Sequence, residues 1–278
     1  MVYLFLAILS SAMIAIVMRL STGRIRAEKS MLATNYLVCS LLSAGFAGFR
    51  VVQSQAPGFG ITLGLGLVSG VLYLAGLISM QNNTGRYGVV LSSVFMKLGL
   101  LVPMVLSVAL FREVPTMPQI AGFAIAVCAI VLINRKQEPG GKGFGMGLIW
   151  MLLLCGGSEA MSKIFEVFGP AALSSQFLFY TFATAFALCL VLVVRQGQRP
   201  SWREVLYGTL IGVPNFFSAK FLLGALQSLP AVVVYPTFSV ATMLMVTMTG
   251  VIAFRERLSR LQWVALAAIV VALVLLNL

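Results

Sequence analysis

Four charged side chains stand inside apolar runs: Lys97, Glu159, Lys163 and Lys220, with Glu166 near the end of one run. In hydrocarbon each charge at a helix centre costs about 2.5–3.5 kcal/mol, so four unpaired ones would cost roughly 10–14 kcal/mol. That rivals the stability of an ordinary domain, about 5–15 kcal/mol. Such groups are therefore paired, hydrated or engaged with a substrate. Glu159, preceded by Gly156, Gly157 and Ser158, is the one deep carboxylate and the candidate for a proton or counter-ion site. Lys163 and Glu166 follow on the same helix face, where Glu159 and Lys163 could satisfy each other as an i,i+4 pair.

Lys220 lies in GVPNFFSAKFLLG, one turn after Phe216 and Phe217, which could wall a pocket. Pro214 removes a backbone donor and leaves carbonyls that Asn215 or water can satisfy. Lys97 lies between Ser93 and Pro103. Tyr235 shares a helix face with Ser239 and Thr242, beside Pro236. That face reads equally as the lining of a broken helix or as ordinary interhelical hydrogen bonding. The candidate substrate-binding residues are therefore Lys97, Lys220, Glu159, Lys163, Asn215 and Tyr235.

Other chemistry is closed off. The chain has no His and no Asp, and all seven acids are Glu. A Ser-His-Asp or Cys-His triad and a His-ligated metal site cannot be built. Cys39, Cys128, Cys155 and Cys189 are widely spaced in apolar runs and read as small core residues. No cofactor or metal is expected. The glycines Gly60, Gly64, Gly66, Gly70 and Gly76 read as close-packing positions, since no strand precedes them to make a nucleotide loop. Gln81, Asn82 and Asn83 read as a helix cap.

The elements that must position these groups are long and apolar. Of the residues, 60% are hydrophobic and 9% charged, outside the range of soluble domains. Apolar runs of about 17–25 residues, the length that spans a bilayer, recur throughout. Ten spans are expected, near 2–18, 31–49, 60–81, 88–110, 118–134, 144–165, 171–194, 204–227, 231–253 and 261–278. The first run lacks a basic n-region and reads as a retained span. Nearly all loop Lys and Arg fall on one side, with only Arg50 and Arg112 opposite, and Trp150, Trp202 and Trp263 lie at the basic edge. The positive-inside rule then puts both termini outside a cytoplasmic (inner) membrane. The net charge of +12 reads as topology and anionic headgroups, not nucleic acid.

The frame is duplicated. FREVPTMPQIAGFAIAVCAIVLIN begins at Phe111 and FRERLSRLQWVALAAIVVALVLLN at Phe254, and Glu113 matches Glu256. Halves of five spans each must lie inverted, because an odd number of crossings exchanges the faces. Inverted repeats of this kind belong to alternating-access transporters. The repeated F-R-E…Q…A…N block resembles the end of an EamA repeat, and the whole chain resembles the drug/metabolite transporter superfamily. That resemblance implies an all-α membrane protein of ten transmembrane helices in two inverted five-helix repeats, 1–134 and 143–278. It also implies a cavity lined by helices 1–4 and 6–9.

The expected function is secondary transport of a small anionic or zwitterionic metabolite, held by Lys97 and Lys220, while Glu159 pairs with Lys163 or carries a proton. The alternatives are a multidrug exporter of hydrophobic cations, using Glu159 and aromatic walls, and a membrane-embedded transferase. The lack of His, Asp and large loops argues against an enzyme. The expected partners are a small-molecule substrate and the lipid bilayer, and the chain could form a homodimer.

Overall fold

The computed structural model describes residues 1–21, 23–52, 55–87, 95–96, 98–99, 101–133, 146–197, 201–254 and 260–278. Within them the chain is helical throughout. The helices are α1 (Val2–Ser21), α2 (Glu28–Phe46), α3 (Phe59–Tyr87), α4 (Leu101–Phe111) and α5 (Met117–Ile133), followed by α6 (Met146–Phe168), α7 (Ser174–Arg195), α8 (Trp202–Leu226), α9 (Ala231–Phe254) and α10 (Arg260–Leu276). A 3-10 turn, Ala171–Leu173, leads into α7.

Among the described residues, six segments are long and apolar enough to cross a membrane: Val2–Ser21, Phe59–Met80, Met146–Phe168, Ala171–Arg195, Trp202–Leu226 and Ala231–Ile252. Helix α2 starts on Glu28 and Lys29 and buries Asn35, Ser40 and Ser43, which makes it more polar than these. Outward faces remain apolar, as with Phe5 and Met13 on α1 and Val264, Val271 and Val274 on α10. Such rows of exposed large side chains suit lipid rather than water. Trp150, Trp202 and Trp263 are also exposed.

The chain forms two compact units, and neither is a sequence half. The first holds residues 1–74 and 161–227, the second 75–160 and 228–278, so α3 and α6 each contribute to both. In the first unit α1 and α2 pack on α8, and α2 packs on α7; in the second α5 packs on α10, and α9 touches α4, α5 and α10. The α5–α10 contact is built from Ala126, Ala129, Ile269 and Ala272, with Val240 of α9 against it. Small side chains let these backbones approach closely.

Two close contacts in the first unit use matching positions. On α3, a β-carbon at Gly66 would lie 2.6 Å from Tyr180 Cβ, and one at Gly70 would lie 2.5 Å from the Thr181 carbonyl oxygen of α7. On α8, a β-carbon at Gly208 would lie 2.6 Å from the Met31 carbonyl oxygen, and one at Gly212 would lie 2.8 Å from Val38 Cβ of α2. Both glycine pairs are four residues apart. The Gly66 seat is Phe177, Tyr180 and Thr181, and the Gly70 seat is Thr181 and Thr184. The corresponding seats of Gly208 and Gly212 are Met31 with Thr34, and Asn35 with Val38. Among the described residues Gly60 and Gly64 have no neighbour within 4 Å of an added β-carbon, so the close-packing expectation fails for them there. It holds for Gly66, Gly70 and Gly76, the last meeting Cys155 of α6.

The Phe-Arg-Glu block is a structural joint. Arg112 adopts φ +55° after α4, which turns the chain so that the Glu113 amide donates to the Ser107 carbonyl (3.2 Å). The Glu113 carboxylate then accepts from the amides of Ala231 (2.8 Å) and Val232 (3.4 Å) at the start of α9. A carboxylate here satisfies free N–H groups and opposes the positive end of the helix dipole. Glu113→Ala is expected to cost about 1 kcal/mol, read as a lowered melting temperature in detergent, with Glu113→Gln intermediate. An unshifted melt for Glu113→Ala would rule the cap out.

Asn83 is not a terminal cap, because α3 continues to Tyr87. Its amide donates to Ser79 Oγ (3.2 Å) and to the Gly147 carbonyl (2.9 Å), joining α3 to the first turn of α6. Cys128 is exposed, whereas Cys39 and Cys189 are buried as expected.

Candidate functional site

The first unit contains a buried polar group on α2, α3 and α8. Asn215 Nδ2 donates to Asn35 Oδ1 (3.1 Å), and Tyr73 Oη donates to Asn215 Oδ1 (3.4 Å). Cys39 Sγ points at the Gly212 carbonyl (3.3 Å) and at Asn35 Oδ1 (3.8 Å). Asn35 is 2% exposed and Asn215 8%. Two rings stand edge-on to Tyr73: Tyr36 of α2 at 5.8 Å and Phe182 of α7 at 6.3 Å between centroids.

These side chains meet because the glycine seats bring their backbones together. Asn35 sits opposite Gly212, whose added β-carbon would lie 2.9 Å from the Asn35 carbonyl oxygen. Asn215 follows Gly212 by three residues and Tyr73 follows Gly70 by three, so each polar residue lies about one turn past a close contact. Pro214 stands inside α8, and Asn215 beside it serves the Asn35–Tyr73 group.

Lys220 lies further along α8, half-buried, with Nζ 3.1 Å from the Phe46 ring centroid and 5.8 Å from that of Phe216. Phe216, Phe217, Phe221 and Tyr3 continue the ring cluster. Among the described residues no carboxylate lies within salt-bridge distance of Lys220; a ring face there supplies the cation–π attraction. Phe46 is the last residue of α2 and Lys220 lies within the last two turns of α8, so this ammonium sits towards a helix end, not at mid-span.

On α6 the ion pair is Lys163 with Glu166, Nζ to Oε2 2.6 Å, the side chains 4% and 19% exposed. The expectation for Lys163 centred on Glu159, four residues earlier. Glu166, three residues later, supplies the short contact. In the second unit Tyr235, fully buried, donates through Oη to the Glu159 carbonyl (2.8 Å), which ties α9 to α6. Ser239 and Thr242 are buried on the same face with hydroxyls that have no partner among the described residues. Helix α9 runs through Pro236 without a break. Lys97 lies outside the described residues. No group of His, Cys, Asp or Glu that could hold a metal ion occurs among the described residues.

Asn35, Tyr36 and Tyr73 are not among the sequence candidates, which are charges inside apolar runs and polar residues beside prolines. Their signal was an Asn alone in MLATNYLVCSLL, and a Tyr three residues after a glycine pair.

The helix order and packing define a membrane-type all-helical fold. No protein-family model matches the chain. An uncharacterized protein of Haemophilus influenzae (strain ATCC 51907 / DSM 11121 / KW20 / Rd) is 24% identical over 278 residues, covering 95% of this chain and 93% of its own length. A protein of known crystal structure superposes with TM-score 0.75 at 17% identity, over 99% of this chain and 94% of its own. At that identity the likeness establishes the fold alone.

Proposed function

We propose that the chain is a secondary transporter of a small anionic or zwitterionic solute, working by alternating access in a cytoplasmic membrane. In this reading residues 1–134 and 143–278 are two five-helix repeats, ten spans in all, with both termini outside. The observation that carries it is the pair of matching glycine seats. Gly66 and Gly70 precede Gly208 and Gly212 by 142 residues, and Phe177, Tyr180, Thr181 and Thr184 follow Met31, Thr34, Asn35 and Val38 by 146. Exchanging the halves turns one contact into the other, which is a two-fold relation. Tyr73 and Asn215 are counterparts at the same 142-residue spacing, and they touch each other, so that contact marks the axis. With an odd number of spans per half, a two-fold relation inverts the repeats, and inverted repeats place their site at the repeat interface near the midplane.

Lys220 and Lys97 supply positive charge for the solute's anionic group, and Glu159 supplies a carboxylate for pairing or proton transfer. Uptake by full-length protein in proteoliposomes tests the reading. A panel of labelled organic acids and amino acids is expected to yield a saturable substrate, with Lys220→Ala and Lys97→Ala each cutting uptake more than about tenfold, the scale of one lost charged hydrogen bond. Undiminished uptake in both variants would remove the lysines from the mechanism.

The second reading, an exporter of hydrophobic cations, has the ring cluster of Tyr3, Phe46, Phe216, Phe217 and Phe221 in its favour. The chain's own Lys220 ammonium lies on the Phe46 face, and a second cation there would meet like charge. That observation favours the anionic or zwitterionic solute.

A further inference from the structure

We propose that residues 45–49, the end of α2 and the bend after it, form a flap whose Phe46 ring covers the Lys220 ammonium, and that the carboxylate of an anionic solute displaces that ring. The inference rests on the reading of Lys220 as a solute contact, and it names the residue that sets the affinity there.

A lysine ammonium carries three N–H donors and no acceptor. Lys220 Nζ lies 3.1 Å from the Phe46 ring centroid, and among the described residues it makes no hydrogen bond or ion pair. A ring face attracts a cation through its quadrupole but offers no lone pair. A carboxylate brings full opposite charge and charge-assisted hydrogen bonds, so it outcompetes the ring for the same ammonium. Phe46 also rests on Phe216 (5.3 Å between centroids) and Phe217 (6.0 Å), which holds the covered arrangement until an anion arrives. Lys220 is half-buried and Phe46 exposed, so the contact is reached from the protein surface and needs no enclosed cavity.

The chain around Phe46 is pinned on both sides and loose between. Ser43 and Ala44 are buried. Beyond the bend, the Arg50 carbonyl accepts from Gln176 Nε2 (3.3 Å) and the Val51 carbonyl from Tyr180 Oη, both on α7. Residues 45–49 are exposed or half-buried, and β-carbons added at Gly45 and Gly48 would meet nothing within 4 Å. Gly48, at φ +61°, makes an ordinary left-handed helix end: its amide donates to the Gly45 carbonyl (2.9 Å), and the Phe49 amide to the Ala44 carbonyl (2.8 Å). Phe49 departs from that pattern. It too lies in the left-handed region, at φ +58°, and is 78% exposed. A bulky residue held there is strained, and this one buries little in return. Strain of that kind marks switch segments and ligand clamps.

The repeat spacings show that packing alone does not ask for this arrangement. At 146 residues Phe46 matches Leu192, and at 142 residues Lys220 matches Ile78. Gly45 and Gly48 match Val191 and Val194, and α7 runs through that stretch to Arg195 as continuous helix. One side of the frame thus uses plain apolar residues on an unbroken helix. The other side combines an ammonium, a covering ring and a glycine-flanked, strained bend.

Full-length protein in detergent is treated with an amine-reactive ester, and mass spectrometry reads the acylation rate of Lys220 against that of Lys29 in the same sample. Acylation needs the free amine, which a covering ring and a bound carboxylate both suppress. Phe46→Ala is expected to raise the Lys220 rate by about twofold to thirtyfold, the span of one cation–π contact, and Phe46→Leu to do the same where the alanine variant does not fold. Acetate, exchanged for chloride at constant ionic strength, is expected to protect Lys220 saturably, with an apparent affinity tighter in Phe46→Ala by a similar factor; acetamide is expected to give no protection. Equal acylation in wild type and variant would show that the ring is no cover. Acetate protection that is absent, unchanged or weaker in the variant, or matched by acetamide, would show that the ring does not compete with an anion. Uptake in proteoliposomes separates the two readings. If Lys220→Ala leaves uptake undiminished while acetate protection still tightens in Phe46→Ala, the flap stands and the transport role of Lys220 falls. If Lys220→Ala stops uptake while Phe46→Ala changes neither acylation nor protection, the flap falls and transport stands.

Discussion

Valine at Gly70 or Gly212 is expected to abolish recovery of folded, monodisperse protein, whereas valine at Gly60 or Gly64 is expected to leave it unchanged. The geometry separates the pairs. A β-carbon at Gly70 would stand 2.5 Å from the Thr181 carbonyl oxygen and 2.7 Å from Thr184 Cβ; at Gly212 it would stand 2.8 Å from Val38 Cβ and 2.9 Å from the Asn35 carbonyl oxygen. Backbone oxygens and β-carbons cannot swing aside, so the helices themselves must part. Overpacking that a core can absorb costs about 1–3 kcal/mol. Parting two helices forfeits dispersion contacts along the whole interface, and membrane helices have no hydrophobic effect between them to compensate. Against a total of about 5–15 kcal/mol that loss is decisive. Fluorescence-detected size-exclusion reads the outcome. A sharp Gly212→Val peak at wild-type yield, with an unshifted melt, would show that the seats are not rigid.

The same contrast shows what the sequence made legible. Except that α3 runs on past the expected 81 to Tyr87, the expected spans lie within a few residues of the observed helices wherever both can be compared, because an apolar run of about 17 residues or more is a direct statement of length. Spacing alone could not say which glycines carry contacts: Gly60, Gly64, Gly66 and Gly70 look alike in the sequence, and only the last two meet α7. Partner choice was equally hidden. Lys163 has a carboxylate four residues before it and another three after it, and Glu166 makes the short bond. The repeated Phe-Arg-Glu block marks the duplication in the sequence, but the target of Glu113, the first turn of α9, lies 118 residues away and leaves no trace in local pattern. The site candidates followed the same rule. Charges inside apolar runs announce themselves by cost, so Lys220 and Glu159 stand out in the sequence; Asn35 and Tyr73 are neutral, and only the packing brings them together with Asn215.

Removing one partner of the α6 ion pair is expected to harm the fold more than removing both. Lys163 is 4% exposed and Glu166 19%, so Glu166→Gln leaves an ammonium with little water. Breaking a buried pair in this way costs about 3–5 kcal/mol, and replacing both charges with apolar groups of similar volume is often neutral. The low end, about 3 kcal/mol, is expected here, since Glu166 keeps some water and Lys163 has further contacts. Lys163→Met with Glu166→Leu should recover most of that loss, giving a coupling energy in a double-mutant cycle read by unfolding in mixed micelles. A double-variant loss equal to the sum of the two single-variant losses would mean that the charges act independently. Function separates what stability cannot. If the double variant folds and still moves solute at the wild-type rate, the pair only anchors the end of α6; if it folds and transport stops, Lys163 contributes a charge that the solute or its coupling ion needs.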